Sequence, residues 1–314
     1  MTGAAPFHRD VAGGPEGVRA AWIAAEDGVR LRAVHWPLEG ARGTVLLFSG
    51  RTEYAEKYGL AAAEFAARGY ATATLDWRGQ GLSDRLQEDA VTGHVVRFRD
   101  YQRDVAALLG HVRGLGLPRP LYLVAHSLGG AIGLRALHEG LGVEAAVFSA
   151  PMWGILFSAP VRAWAWGLTG ASRALGFSTR MAPGKTPHPY VLKEAFEANT
   201  LTHDRAMWER MGRQIDAHPD LALGLPSLNW LYEALAETRA LHRADSPAVP
   251  AVTFLGTEEQ IVDEARIHAR MARWPDGRLE VVEGARHEIM MELPEMRTRF
   301  FDTARDLFEA HRGR

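Results

Sequence analysis

The sequence contains no cysteine in its 314 residues. Disulfide bonds, thiol nucleophiles and zinc sites with thiolate ligands are therefore excluded, whereas the compartment is left open. The chain also lacks an excess of one charge, because 36 basic and 38 acidic side chains give a formal net charge of −2. Since no basic surplus is present, we expect no nucleic-acid partner.

Two kinds of apolar segment are also missing. Residues 1–19 contain no apolar core of the kind found in secretory signal peptides, so we expect a cytoplasmic protein. Residues 145–172 carry a single charge, Arg162, but prolines and glycines interrupt them. Because a membrane-spanning helix needs about 20 uninterrupted apolar residues, we expect a strand and a separate apolar helix here.

The apolar pattern that is present predicts an α/β fold. A hairpin is expected over residues 20–36, and continuous apolar runs predict buried strands at 44–48, 70–77, 121–124, 143–148, 250–256 and 278–282. Amphipathic helices alternate with these strands, and a last helix begins at Pro294. This alternation indicates a mostly parallel sheet flanked by helices.

One long segment interrupts the alternation. Residues 151–245 show several helical stripes and no convincing strand. We therefore expect a core built from residues 1–150 and 246–314, with a helical insertion between the two parts. At 314 residues and 47% apolar side chains, the chain is long enough for this arrangement.

The most specific motif surrounds Ser127. The apolar run at 121–124 precedes it, and apolar residues at helical spacing follow it. Ala125 and Gly129 lie two residues to either side, which is the pattern of a nucleophile elbow with alanine in place of the first glycine. We predict that Ser127 is a nucleophile and that the backbone N–H of Leu128 is one oxyanion donor.

A serine nucleophile needs a base, and the base needs a carboxylate that orients it. His287 follows the last predicted strand and is the candidate base, because such hydrolases have the chain order serine, acid, histidine. The acid should follow the strand that ends at residue 256. We assign Glu259, with Asp263 and Glu258 as alternatives that are better suited to capping the next helix.

The loop after the first buried strand should supply the second oxyanion donor, and the backbone N–H of Arg51 is the candidate. For the Arg51 guanidinium we expect an internal salt bridge with Glu53, Glu56 or Asp76. The alternative is that it contacts a substrate phosphate together with Lys57.

We expect neither a metal nor an organic cofactor. His287 and Glu288 could begin a zinc-binding H-E-x-x-H motif, but residue 291 is methionine.

Several segments together resemble the bacterial lysophospholipase and monoacylglycerol lipase branch of the α/β-hydrolases, over nearly the whole chain. They are the oxyanion segment 50–58, the turn 76–83, the elbow 125–130, the histidine loop 284–288 and the insertion segments 199–204 and 226–231. Ser49 and Ala125 replace the usual histidine and glycine, and Glu259 replaces the commoner aspartate. The turn at 76–83 is expected to support the oxyanion loop.

The resemblance implies an α/β-hydrolase fold with a helical cap at 151–245 and a Ser127–His287–Glu259 triad. It also implies a small lipid or ester substrate, with a lysophospholipid or a monoacylglycerol favoured. A carboxylesterase, thioesterase or cap-gated peptidase is the alternative, and a non-catalytic binding protein is a remote one. We interpret Trp153, Trp164 and Trp166 as candidates for contacts with substrate and for peripheral contact with the inner membrane.

Overall fold

The computed structural model describes residues 3–184 and 188–313. Within them, nine strands form one sheet in the order β1-β2-β3-β5-β4-β6-β7-β8-β9. The strands are β1 (Gly3–Ala4), β2 (Arg19–Ala24), β3 (Arg30–Trp36), β4 (Thr44–Phe48), β5 (Ala71–Leu75), β6 (Leu121–His126), β7 (Ala146–Ser149), β8 (Ala251–Gly256) and β9 (Gly277–Val282).

The α-helices of the same residues are α1 (Arg9–Ala12), α2 (Gly59–Ala67), α3 (Tyr101–Gly114), α4 (Leu128–His138), α5 (Ala159–Ala174), α6 (Tyr190–Lys193), α7 (Arg205–Ala217), α8 (Leu228–Arg243), α9 (Glu264–Met271) and α10 (Pro294–Ala310). Short 3-10 helices cover Ala55–Tyr58, Phe98–Asp100, Phe196–Ala198, Pro219–Leu221 and Ile289–Met291. None of the described helices is both long and apolar enough to cross a bilayer.

The sheet is parallel from β5 through β4 and β6 to β9. The strands β1, β2 and β3 add an antiparallel edge, in which β3 pairs with β5. The predicted α/β-hydrolase type of sheet is therefore confirmed, and so is the hairpin of β2 and β3. The short pairing of β1 with β2 was not expected.

Both faces of the parallel strands are covered, as their continuous apolar sequences require. Leu46 and Phe48 of β4 pack into one apolar cluster with side chains of α3, α4 and α9. Val45 and Leu47 point to the opposite face and pack with α2 and α10. Successive side chains of a strand alternate between faces, so one short strand contributes to both layers.

Residues 151–245, here called the cap segment, connect β7 to β8. Their described part contains α5, α6, α7 and α8, of which α5 and α8 pack against each other. Trp230 and Leu241 of α8 belong to the same apolar cluster as Phe48 of β4. The cap segment therefore shares its packing with the side of the sheet that carries α4.

Candidate active site

Ser127 lies in a strained turn between β6 and α4. Its φ of 48° is in the left-handed region, and its backbone N–H donates to Ser149 O at 3.1 Å. A Cβ at Gly129 would come within 2.1 Å of Phe48 O, so only glycine allows α4 to begin this close to β4. This is the geometry that the elbow motif predicts, with the serine at the carboxyl end of the central strand.

His287 and Glu259 are in direct contact. The distance from His287 Nδ1 to Glu259 Oε2 is 2.7 Å, and both residues are buried. The other carboxylate oxygen of Glu259 accepts hydrogen bonds from the backbone N–H groups of Ile261 at 2.6 Å and Val262 at 3.1 Å. Burial raises the pKa of Glu259, but His287 and the two N–H groups outweigh this effect and lower it. The carboxylate is therefore held in its charged form beside the imidazole.

The two alternative acids have other contacts. Asp263 caps α9, because its side chain accepts a hydrogen bond from Arg266 N at 3.3 Å, and it also pairs with Arg162 at 3.1 Å. Glu258 is nearly half exposed and lies 3.2 Å from His203. The capping role predicted for this part of the sequence is thus confirmed for Asp263.

The cap segment holds the histidine loop in place. Glu288 N donates to Leu201 O at 2.8 Å, and Thr202 Oγ1 donates to Met291 O at 2.7 Å. Asn199 fixes this part of the cap segment, because its side-chain oxygen accepts from the N–H groups of residues 201 and 202. Residues 199–204, which carry part of the family resemblance, therefore support the position of His287.

The turn at 76–83 supports the oxyanion loop. Gln80 Nε2 donates to Gly50 O at 3.0 Å, and Gln80 Oε1 accepts from Thr52 N at 3.3 Å. Asp76 accepts the N–H of Ala55 at 2.9 Å. These contacts agree with the structural role expected for the turn, and they fix the backbone on both sides of Arg51.

The salt bridge expected for Arg51 is wrong. Glu56 and Asp76 instead pair with the buried Arg32 of β3, at 2.6 and 2.8 Å. Glu53 pairs with Lys57 at 2.5 Å. Arg32 lies on β3, and it pairs with two of the carboxylates that were expected to pair with Arg51.

Arg51 instead contacts the cap segment. Its guanidinium donates to Gly224 O at 2.5 Å and lies over the Trp230 ring, 5.2 Å from the ring centre. Among the described residues no carboxylate lies within salt-bridge distance, and Arg51 Nε is buried without a hydrogen-bond partner. Burial lowers the pKa of Arg51 to about 10, so the side chain is still cationic at neutral pH.

A buried charge cluster, not anticipated from the sequence, adjoins His287. Lys57 Nζ contacts Glu53 Oε1 and Glu288 Oε1, each at 2.5 Å, and His126 Nε2 lies 3.4 Å from Glu288 Oε2. The His126 ring lies 4.8 Å from the ring of His287, measured between centres. His126 and Glu288 are the sequence neighbours of Ser127 and His287, and this adjacency is the signal that could have identified them.

Opposite charges in this cluster shift the pKa values of three of its members, Glu288, His126 and Lys57. Burial raises the pKa of Glu288, but His126 and Lys57 hold it well below its usual value. Burial lowers the pKa of His126, but Glu288 and Glu53 together raise it. Each charge therefore depends on its partners, and the cluster fixes the backbone on which His287 sits.

Ser127 and His287 line one cavity of about 560 Å³, together with Arg51 and many apolar side chains of the cap segment. Phe157, Met211, Ile215, Leu225 and Trp230 are among these apolar groups. A cavity with a serine and a histidine at one wall and a predominantly apolar lining suits a substrate with a hydrocarbon part.

The structure does not bring the three candidate tryptophans into this cavity. Trp153 is buried against Phe148 and Trp274 in the core. Trp166 packs against Tyr232 of α8, with ring centres 5.5 Å apart. Trp164 is 57% exposed on the outer side of α5. The tryptophan on the described cavity wall is instead Trp230.

Comparison with known proteins identifies the family. Residues 39–294 match the family Hydrolase_4, described as serine aminopeptidase, S33. The chain is 33% identical to lysophospholipase L2 of Escherichia coli (strain K12) over 295 residues, covering 91% of this chain and 86% of that protein. It is 29% identical to the probable lysophospholipase L2 of Haemophilus influenzae over 263 residues, covering 83% and 82%.

Solved structures share the fold at lower identity. A soluble variant of monoglyceride lipase from Saccharomyces cerevisiae aligns with a TM-score of 0.72 at 19% identity, covering 98% of this chain and 99% of that one. A carboxyl esterase from Bacillus coagulans aligns with a TM-score of 0.72 at 14% identity, covering 95% and 99%. The chain therefore belongs to the Hydrolase_4 (serine aminopeptidase, S33) family of α/β-hydrolases and is of the lysophospholipase and monoglyceride lipase type.

Proposed function

We propose that the chain is a serine hydrolase that cleaves the acyl ester of a monoacyl lipid, with Ser127, His287 and Glu259 as its triad. The observation that carries the proposal is the 2.7 Å contact between His287 and Glu259 on the wall of a cavity that also contains Ser127. The names of the relatives, lysophospholipase L2 and monoglyceride lipase, support an ester of this kind.

In the proposed reaction, Ser127 Oγ attacks the ester carbonyl carbon while His287 accepts the serine proton. The carbonyl oxygen becomes an oxyanion, which accepts hydrogen bonds from the backbone N–H groups of Arg51 and Leu128. Collapse of this intermediate expels the alcohol, which takes the proton from His287, and leaves an acyl-serine. Water, deprotonated by His287, then releases the fatty acid. Glu259 holds the imidazole in the required orientation throughout.

Arg51 favours a lysophospholipid over a monoacylglycerol as the substrate. Its guanidinium lines the cavity, carries a charge and has no described carboxylate partner, whereas the other cation on the wall, Lys57, is paired with Glu53 and Glu288. A phosphodiester that enters beside Ser127 would therefore meet one available positive charge.

The cavity gives less support to a peptidase. An aminopeptidase needs a carboxylate placed to bind a free amine, and we would expect the cap segment to supply it. Along the described lining, the carboxylates are Glu53 and Glu288, and both are paired with Lys57.

We further propose that residues 151–245 act as a cap that binds the acyl chain and rests on lipid. The apolar side chains of the cap segment in the cavity support the first role. The exposed Trp164 supports the second, because an indole can bury its ring in a lipid interface and keep its N–H hydrated. We expect a cytoplasmic protein in peripheral contact with the inner membrane.

The test is a panel of purified substrates: lysophosphatidylcholine, monooleoylglycerol, a short p-nitrophenyl ester, an acyl thioester and an aminoacyl p-nitroanilide. The proposal predicts the highest kcat/KM on lysophosphatidylcholine. A thioester or anilide that exceeds both lipids would contradict it.

A further inference from the structure

A second cavity, of about 300 Å³, lies between α5, α8 and the first turn of α9. Its lining is strongly basic, since Arg162, Arg239, Arg243 and Arg266 all contribute to it. Asp263 is the single carboxylate along the lining in the described parts of the chain. This cavity is separate from the one at Ser127, although Ile155 lines both.

The single carboxylate is already engaged. Asp263 Oδ2 lies 3.1 Å from Arg162 and 4.0 Å from Arg266 Nε. Asp263 Oδ1 accepts a hydrogen bond from the backbone N–H of Arg266 and so caps α9. The charges of the other arginines in the cavity therefore have no carboxylate partner along the described lining. An anionic ligand that enters the cavity would stabilise them.

The donors available to such an anion come from two sides. Arg266 Nη1 is buried and has no hydrogen-bond partner in the part of the chain that the structure describes. Arg239 and Arg243 lie one helical turn apart on the exposed side of α8, and no described carboxylate lies within salt-bridge distance of either. Three guanidinium groups thus offer donors to one space.

The rest of the lining combines the apolar side chains of Ile155, Trp166 and Leu235 with Gly154, Thr238 and His242. A ligand with both an anionic group and carbon atoms would satisfy the two parts of the wall. Arginine forks match the oxygen geometry of phosphate and can bind it through paired hydrogen bonds.

We propose that this cavity binds a phosphate group, either in the headgroup of a phospholipid or in a small phosphate ester. The lipid source rests on the proposed action on lipids, whereas phosphate recognition itself does not. Because Ile155 lines both cavities, its side chain would lie between a bound headgroup and the proposed acyl site.

Titration calorimetry with inorganic phosphate and sn-glycerol 3-phosphate tests the site without any turnover, since neither compound has an acyl ester. The double variant Arg239→Gln/Arg243→Gln should weaken binding of both at least tenfold. The matched control is Arg113→Gln/Arg119→Gln, which removes two exposed charges near the amino end of β6, opposite to Ser127. The control should bind like the wild type.

Sedimentation with phosphatidylcholine vesicles, with and without phosphatidylglycerol, separates the two sources of phosphate. A loss of binding to the anionic vesicles in the double variant, beyond that of the control, identifies a lipid headgroup. Unchanged vesicle binding with weakened glycerol phosphate binding identifies a soluble ester. Equal phosphate affinity in the wild type and the double variant, or no affinity in either, would overturn the proposal, whatever the outcome for ester hydrolysis.

Discussion

Glu259 Oε2 lies 2.7 Å from His287 Nδ1, and the two residues come from loops that follow adjacent parallel strands, β8 and β9. The second oxygen of Glu259 is held by the backbone of residues 261 and 262, so the carboxylate cannot rotate freely. This relationship distinguishes Glu259 from the two other acidic residues of its loop and fixes the orientation of the imidazole.

Glu259→Gln should lower kcat by about 10⁴, because an imidazole in the wrong tautomer cannot accept the serine proton. Steady-state kinetics on a p-nitrophenyl ester measures this effect. The matched variants are Glu258→Gln and Asp263→Asn. The first should stay within a few-fold of the wild type, and the second should mainly lower thermal stability, since loss of a helix cap costs about 1 kcal/mol. If Asp263→Asn were the inactive variant, the assignment of the acid would be wrong.

Arg51→Gln should raise KM for lysophosphatidylcholine more than for monooleoylglycerol. Loss of a hydrogen bond to a charged group costs about 1.5–3 kcal/mol, so the ratio of the two KM values should change roughly 10–100-fold. Arg51→Lys keeps the charge and should restore part of the ratio. An equal loss on both substrates would limit Arg51 to its contacts with Gly224 and Trp230.

Glu288→Gln should destabilise the protein by about 3–5 kcal/mol, because it removes one of the two buried carboxylates, Glu53 and Glu288, that Lys57 and His126 share. The lowered pKa of Glu288 gives stability that is present above the usual value of 4.5 and is lost as the pH falls. The raised pKa of His126 gives stability that is present below 6.5 and is lost as the pH rises.

Urea unfolding of the wild type and Glu288→Gln across pH measures this difference, which should be largest between about pH 4.5 and 6.5. Glu197→Gln is the control, since Glu197 pairs with Arg205 at an exposed site and should change little. A difference that does not vary with pH would argue against the coupled charges.

Trp164→Ala should weaken binding to phospholipid vesicles roughly tenfold, because burial of a large aromatic side chain in lipid contributes about 1.5–3 kcal/mol. Vesicle sedimentation gives the affinity. Val281→Ala is the control, because Val281 is also exposed but lies on β9, outside the cap segment. If both variants bind like the wild type, Trp164 is not part of a membrane contact.

The parts of the fold that follow from local patterns could be predicted from the sequence. The strand before Ser127 and the helix after it are specified by an apolar run and by Gly129, whose missing Cβ allows the close approach to Phe48. Glu259 is assigned from its position shortly after the end of β8. Because the loop is short, its side chain stays near that end of the sheet. The structure contains the predicted strand and helix around Ser127, and Glu259 contacts His287.

Contacts between distant segments could not be predicted in the same way. Glu56 and Asp76 are two of the three carboxylates expected to pair with Arg51, but both pair with Arg32, which reaches them from β3. The orientation of Trp153 and Trp166 depends on Trp274 and Tyr232, of which the first follows α9 and the second lies in α8. The packing of the cap segment, and not its composition, decides which of its tryptophans lines the cavity at Ser127.

Covalent labelling of the protein tests whether Ser127 is the nucleophile. Wild-type protein treated with a fluorophosphonate probe should be labelled at a single site, which mass spectrometry should locate at Ser127, and should lose its ester hydrolysis in proportion. Ser127→Ala, with a circular dichroism spectrum like that of the wild type, should show neither labelling nor turnover. Labelling or ester turnover that persists in folded Ser127→Ala would mean that another residue is the nucleophile.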